Sequence, residues 1–203
     1  MTTLRTALRD VLSLSIFLFV WGATSTGILA QDPPPNPRVV VETTEGDITI
    51  ELFRTKRPVS VVNFLTYVQD GYYDGTIFHR VIRGFMVQGG GLTEDLEAKT
   101  DGLRGFILNE ADATLRNRRG TVAMARLGEP NSARAQFFIN TEHNAPLDHK
   151  NGTAAGFGYA VFGEVVEGMD VVEDIERART HRVGDLADVP REAIVINTIR
   201  RLN

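Results

Sequence analysis

The 203-residue chain contains no cysteine. This absence excludes disulfide bonds, thiolate metal sites and a lipid anchor attached to a cysteine. It suits an oxidising exported compartment, where a free thiol is a liability, and it is also compatible with the cytoplasm.

The chain also lacks a strongly basic segment. Its formal net charge at pH 7 is −4, and the densest basic cluster is the RNRRG stretch at 116–120. A nucleic-acid-binding protein needs a basic face or stripe, so we expect no nucleic-acid partner. With 42% hydrophobic and 24% charged residues, the composition is that of one globular domain with a sizeable core.

The common catalytic signatures are missing as well. No two of the four histidines lie at a helical spacing with a carboxylate, which argues against a metal site. The glycines at 89–91 are followed by neither a lysine nor a dinucleotide-binding spacing, which argues against a phosphate cradle. There is no nucleophile elbow. We therefore predict no metal and no cofactor.

The first 30 residues differ from the rest of the chain. Arg5 and Arg9 precede the apolar run VLSLSIFLFVWG, and small residues follow at 23–30. This order is typical of a secretory signal, with cleavage after Gly27 or Ala30. Residues 11–30 also form an uncharged run long enough to span a bilayer, so an uncleaved anchor is the alternative. We favour export with removal of the segment, which would leave no stable membrane association.

Four of the eight prolines fall in DPPPNPR at 32–38. No periodic pattern crosses this stretch, so we interpret residues 31–37 as an extended spacer. The folded domain is then expected to cover residues 38–203.

Two β-rich runs on either side of Glu45 and Gly46 predict a hairpin. The period then changes over PVSVVNFLTYVQDG, where Val59, Val62 and Leu65 recur at three-residue steps and predict a helix packed over the sheet. Short strand-like runs, a second helix in GMDVVEDIERA and a final strand in EAIVINTIRRL follow. Many short strands with two helices at separate points predict a closed or nearly closed antiparallel barrel capped by helices.

Polar side chains occur among large apolar ones on these strands. Alternation along an extended strand places Arg80 with Phe78 and Ile82, and His79 on the opposite face. The same alternation pairs Met86 with Gln88 and Gln136 with Phe138. These groups either form one surface or lie on three unrelated strand edges, and parity alone leaves both interpretations open.

The motifs FHRVIRGFMVQGGG, GTVAMAR, SARAQFFINT, PLDH and FGYAVFGEVVEGMDVVEDI occur in this order over residues 38–203. Together they resemble the cyclophilin family of peptidyl-prolyl cis-trans isomerases, in particular its exported bacterial members. The resemblance implies a mainly β fold, an eight-stranded closed antiparallel β-barrel capped by two α-helices. It also implies a periplasmic location, no cofactor, and proline-containing peptides and unfolded or folding proteins as substrates.

The resemblance also implies a set of site residues. Arg80 takes the family's catalytic arginine position. The substrate-binding positions are Phe85, Met86, Gln88, Ala125, Arg126, Gln136, Phe138, Leu147 and Tyr159. We expect Arg80 to donate a hydrogen bond to the prolyl nitrogen of the twisted amide, with its planar fork held by neighbours such as Gln88.

The chain departs from the usual family pattern at four positions. Arg83 stands where proline usually follows FHRVI, and Arg126 where many members have asparagine. Pro146 replaces an aromatic residue before the groove leucine, and Tyr159 replaces a groove histidine. We expect proline binding to survive, because the position of Arg126 contributes largely through its backbone, whereas the changes argue against high affinity for the drug ciclosporin.

Two alternatives to an isomerase stay open at this point. One is a module that binds proline-containing peptides, or a chaperone, in which catalysis is incidental. The other is a structural component anchored through residues 11–30. Nothing in the sequence requires an obligate partner, and we expect a monomer.

Overall fold

The computed structural model describes residues 35–202, so the predicted signal segment and residues 31–34 of the predicted spacer lie outside the described part. Ten strands and two α-helices are present in this range. The strands are β1 (Arg38–Thr43), β2 (Gly46–Leu52), β3 (Thr76–Ile82), β4 (Met86–Thr93), β5 (Thr121–Met124), β6 (Phe137–Asn140), β7 (Val161–Glu167), β8 (Thr180–Val183), β9 (Leu186–Pro190) and β10 (Val195–Leu202). The helices are α1 (Pro58–Gln69) and α2 (Met169–Glu176), and a short 3₁₀ turn covers Ala145–Leu147.

Eight of the strands close into an antiparallel barrel in the order β1-β10-β3-β4-β6-β5-β7-β2, and β2 returns to pair with β1. The predicted fold class is therefore confirmed. The strands β8 and β9 form a separate two-stranded hairpin, which the sequence analysis did not predict.

Alternation along the strands divides the buried side chains into two groups. The inner cluster fills the barrel and includes the side chains of both helices that face it. Its large members include Ile48, Phe64, Phe78, Phe137 and Phe162, each no more than 2% exposed. The barrel is thus a packed core and not a channel.

Helix α1 begins at Pro58, whose missing N–H suits the first turn. Its buried apolar residues are Val61, Phe64 and Tyr67, while Val59 and Val62 are exposed. The predicted helix is confirmed, but the predicted packing face was wrong for Val59 and Val62 and right only for Leu65, which packs partly buried against the core. Both sets recur every three residues, and the set that contains the two aromatic rings has the volume to fill the end of the barrel.

Helix α2 buries Val172 and Ile175, with Met169 packed beside them, as predicted. In the part of the chain that the structure describes, no helix is both long enough and apolar enough to cross a bilayer. The last residues of the predicted spacer already belong to the domain, because the carbonyl of Pro37 accepts a hydrogen bond from the backbone N–H of Leu52 at 2.9 Å.

Candidate active site

A second, outer cluster of apolar side chains lies on the other face of strands β4 to β7. Met86, Ala123, Phe138 and Val161 are buried there. The partly buried side chains around them are Phe53, Ile82, Phe85, Leu115, Ala125, Leu147 and Tyr159. An apolar cluster outside the main core that ends in a concave surface is typical of a binding site.

A groove of about 540 Å³ lies over this outer cluster. It brings together every site residue predicted from the sequence, namely Arg80, Phe85, Met86, Gln88, Ala125, Arg126, Gln136, Phe138, Leu147 and Tyr159. Side chains that the sequence analysis did not assign to the site also line it, namely His79, Leu92, Asp185, Leu186, Ala187 and Asp188. The predicted surface is therefore one groove and not three separate strand edges.

Arg80 reaches the groove because β3 is irregular. Phe78 pairs with Gly89 and Arg80 pairs with Gln88, so β3 carries one extra residue between these pairs. Such a bulge interrupts the alternation of faces. Phe78 therefore points into the inner cluster, whereas Arg80 and His79 both line the groove. The predicted shared face of Phe78 and Arg80 was wrong, as was the placement of His79 on the face opposite Arg80.

His79 is only 7% exposed, and its Nδ1 has no hydrogen-bond partner among the described residues. Burial lowers the pKa of His79 to about 4, against the opposing effect of a hydrogen bond with the backbone of Ile77, and the charge of Arg80 lowers it further. The imidazole is therefore neutral near pH 7. It contributes a polar wall to the groove and no charge.

The two glutamines of the groove are bonded to each other. Gln88 Nε2 donates to Gln136 Oε1 at 2.9 Å. The prediction that Gln88 holds the fork of Arg80 is not supported, since within residues 35–202 the guanidinium has no hydrogen bond or ion pair with another side chain. Its N–H groups are free to bind a ligand in the groove.

The apolar end of the groove is held from behind by buried asparagines. Asn144 Nδ2 donates to the carbonyl of Phe85 at 2.7 Å and to Asn140 Oδ1 at 2.7 Å. Asn117 Nδ2 donates to the carbonyl of Leu147 at 3.0 Å. These bonds fix the backbone that carries the two groove side chains.

Arg126 forms a different part of the wall. Its guanidinium donates to the carbonyls of Leu127, Gly128, Ala154 and Gly158 and lies 4.7 Å from the ring centre of Tyr159. The side chain thus ties the 154–158 loop to the groove, a role that the expectation of a backbone contribution had missed. The backbone N–H of Ala125 is also engaged, because it donates to the carbonyl of Gln136 at 3.0 Å.

Within residues 35–202 no group of three or more histidine, cysteine, aspartate or glutamate side chains is arranged to hold a metal ion. What the groove offers is one available guanidinium beside an apolar pocket and a pair of amides. This arrangement can bind an extended peptide and donate hydrogen bonds to it.

Comparison with known proteins agrees with this geometry. The family model for "Cyclophilin type peptidyl-prolyl cis-trans isomerase/CLD" matches residues 38–201. The chain is a cyclophilin. It is a peptidyl-prolyl cis-trans isomerase, and enzymes of this family act on proline-containing peptides and proteins.

Two curated relatives of this cyclophilin are bacterial. Peptidyl-prolyl cis-trans isomerase A of Dickeya dadantii is 46% identical over 96% of this chain and 94% of its own length. Peptidyl-prolyl cis-trans isomerase B of Escherichia coli is 48% identical over 79% of this chain and 97% of its own length. Among solved structures, a cyclophilin-type isomerase of Cryptosporidium parvum is similar with a TM-score of 0.68 and 27% identity, covering 83% of this chain and 98% of that one.

Proposed function

We propose that this cyclophilin isomerises Xaa-Pro bonds in the groove described above, with the proline ring in an apolar pocket and Arg80 stabilising the twisted amide. The pocket side chains are Phe85, Met86, Phe138 and Leu147. The observation that carries the proposal is that one cavity places the unengaged guanidinium of Arg80 beside these four side chains.

The chemistry of the bond explains why a guanidinium is suited to this position. Rotation about a peptide bond faces a barrier of about 18–20 kcal/mol, because amide resonance is lost in the twisted state. As resonance is lost, the prolyl nitrogen regains a lone pair that can accept a hydrogen bond. Arg80 can donate that bond at any physiological pH, and no covalent bond needs to break.

One hydrogen bond is not enough for efficient catalysis. An acceleration of about 10⁵ requires roughly 7 kcal/mol of differential stabilisation, whereas a hydrogen bond to a charged group contributes about 1.5–3 kcal/mol. The remainder has to come from holding the ring while the preceding carbonyl swings, in surroundings that favour the less dipolar twisted amide. The buried floor of Met86 and Phe138, each no more than 3% exposed, supports this role.

The deciding experiment measures cis-trans exchange of a neutral Ala-Pro peptide by NMR with the parent protein, Arg80→Ala and Arg80→Lys. We expect Arg80→Ala to reduce turnover about 100-fold with little change in peptide affinity, and Arg80→Lys to restore little, because an ammonium lacks the planar fork. Arg83→Ala is the matched control, since Arg83 is exposed and does not line the groove.

Two results would count against the proposal. Equal losses of binding and turnover in Arg80→Ala would mean that Arg80 binds the ground state and the transition state alike. A folded parent that binds the peptide without accelerating exchange would favour a binding or chaperone module instead.

The proposed setting is an exported one, with the periplasm as the compartment and folding proteins as clients. The proposal rests on the basic, apolar and small-residue order of residues 1–30 and on the absence of cysteine. Mass spectrometry of the exported protein should find a mature N-terminus at residue 28 or 31. An intact Met1 in the membrane fraction would support the anchored alternative. We also propose that the protein is a monomer, which size-exclusion chromatography with light scattering would test.

A further inference from the structure

The β8–β9 hairpin forms one wall of the groove. Residues 185–188, at its tip and along the start of β9, line the same cavity as Arg80. They place two carboxylates, Asp185 and Asp188, beside a groove whose other walls carry arginines. Both carboxylates come from the hairpin and not from the barrel strands.

The root of the hairpin fixes this position. Val189 is 3% exposed, and β9 packs against β3, the strand that carries Arg80. The backbone N–H of Arg191 donates to the carbonyl of Arg179 at 2.8 Å and closes the base of the hairpin. A wall anchored in this way presents its side chains at a defined place and loses little order on binding.

Both carboxylates are available to a ligand. Within residues 35–202 neither Asp185 nor Asp188 forms a side-chain hydrogen bond or an ion pair, not even with Arg80. Asp188 has φ 60, a left-handed conformation that an aspartate adopts more readily than most residues.

No other charged group of the groove forms an ion pair with these carboxylates within residues 35–202. The guanidinium of Arg126 is occupied by four backbone carbonyls. His79 lines the same cavity and is only 7% exposed, and its Nδ1 has no hydrogen-bond partner within residues 35–202. The groove thus contains two carboxylates and the guanidinium of Arg80, none of which has an ion-pair partner within residues 35–202, so a bound peptide can supply these partners.

We propose that Asp185 and Asp188 determine substrate specificity by binding a lysine or arginine side chain close to the isomerised proline. The proposal rests on the proposed function, since it requires the proline to lie in the apolar pocket of the same groove. The carboxylates attract a cationic neighbour of the proline and repel an acidic one. The enzyme would then prefer basic proline-containing segments, in the same sense as its negative net charge.

The test compares kcat/KM for matched peptides with lysine, glutamine or glutamate at each of the two positions on either side of Ala-Pro. We expect lysine to exceed glutamate about three- to tenfold at one or more positions in the parent at low salt. The ratio should fall towards one at high salt, because the carboxylates are near the surface. Ratios within one variant cancel differences in the amount of folded enzyme.

The double variant Asp185→Asn, Asp188→Asn should remove the preference, and asparagine retains the size and the left-handed conformation that Asp188 needs. Asp47→Asn, Asp101→Asn is the matched control, because both residues are exposed and neither lines the groove. It should keep the parent ratio.

Each outcome has a distinct meaning. If the parent turns over the glutamine peptides but lysine and glutamate do not differ, or if the ratio persists in the Asp185/Asp188 double variant, the specificity proposal is wrong and the proposed function stands. No acceleration of any peptide by the folded parent would overturn both.

Discussion

At the scale of single residues, Gly91 lies directly against the side chain of Gln136, one of the groove residues. A Cβ added to Gly91 would lie 2.3 Å from Gln136 Nε2, far inside van der Waals contact. The glycine therefore leaves the space that the side chain of Gln136 occupies. Its absence of a side chain allows Gln136 to accept the hydrogen bond from Gln88.

Gly91→Ala should consequently displace Gln136 and weaken the binding of substrate. We expect kcat/KM for the neutral Ala-Pro peptide to fall about 10-fold, mostly through KM, as measured by NMR exchange at several peptide concentrations. Gly105→Ala is the control, because a Cβ there would meet no atom within 4 Å. An unchanged KM in Gly91→Ala would show that the glutamine pair does not contact the substrate.

His79 gives a prediction about pH. Its folded-state pKa is lowered to about 4, below the ordinary value of 6.5, so the unfolded chain binds the proton first as the pH falls. The contribution of His79 to stability should therefore be lost between pH 6.5 and pH 4, by roughly 3 kcal/mol in all, and this residue should cause no further loss below pH 4. Urea unfolding at a series of pH values measures this slope.

His79→Gln should flatten that part of the pH profile, whatever it does to stability at pH 7. His181→Gln serves as the control, since this histidine is exposed. If the slope between pH 6.5 and pH 4 persists in His79→Gln, the carboxylates and not the buried imidazole account for it.

At the scale of elements, the 110–114 segment is fastened to the start of α1. Glu110 accepts hydrogen bonds from the backbone N–H of Val59 at 3.0 Å and of Ser60 at 2.7 Å, which satisfies donors that have no partner within the helix. The guanidinium of Arg57, 4% exposed, pairs with Asp112 through bonds of 2.6 and 3.1 Å. The carboxylates of Glu110 and Asp112 thus join the 110–114 segment, which contains no strand, to the start of a helix of the core.

Asp112→Asn should weaken this connection. Desolvation would raise the pKa of Asp112, but hydrogen bonds from Arg57 and Thr114 outweigh it and hold the pKa well below its usual range. Because the carboxylate is 47% exposed, we expect a loss of only about 1–2 kcal/mol, part of it from leaving Arg57 without its charge partner. The midpoint of urea unfolding measures the loss, and Asp101→Asn should show none.

The elements also show how far the sequence determines the fold and where local patterns are insufficient. The eight barrel strands and both helices have clear periods, and motif order located every proposed groove residue. The bulge in β3 could not be predicted, because it depends on pairing with β4 and leaves no trace in the alternation of FHRVI. The face of α1 was ambiguous since two sets of residues share one spacing, and the volume of the barrel end decides between them.

The hairpin was overlooked for a different reason. Its strands are short, β8 is mostly exposed and β9 is buried only at its last two residues, so neither strand has the alternating buried face by which strands are recognised. Gly184 and Asp185 at its tip are residues typical of a tight turn, and this was the available signal. Local turn chemistry would have found the hairpin, but only the tertiary structure places it beside Arg80.

At the scale of the whole molecule, the helices and the barrel share one core. Phe64 of α1 lies 5.2 Å from the ring of Tyr73, 5.5 Å from that of Phe137 and 5.2 Å from that of Phe162. Unfolding of the helix would remove these contacts from the barrel, and unfolding of the barrel would remove them from the helix. The domain is therefore expected to unfold as a single cooperative unit.

Phe64→Ala should lower the free energy of unfolding by about 3–5 kcal/mol and leave one transition. Far-UV circular dichroism, tyrosine fluorescence and isomerase activity should report the same midpoint. Val62→Ala, on the exposed side of the same helix, should change the midpoint little. Separate midpoints for the three probes would contradict the shared core.

The filled interior of the barrel has a consequence for the clients. Because aromatic side chains fill the lumen, the groove that we propose as the active site lies on the outer face of the barrel wall. A polypeptide does not have to be threaded from one of its ends to reach Arg80. We therefore expect the enzyme to act on a proline in the middle of a long chain, with structure already formed on both sides of it, as well as on one near a terminus.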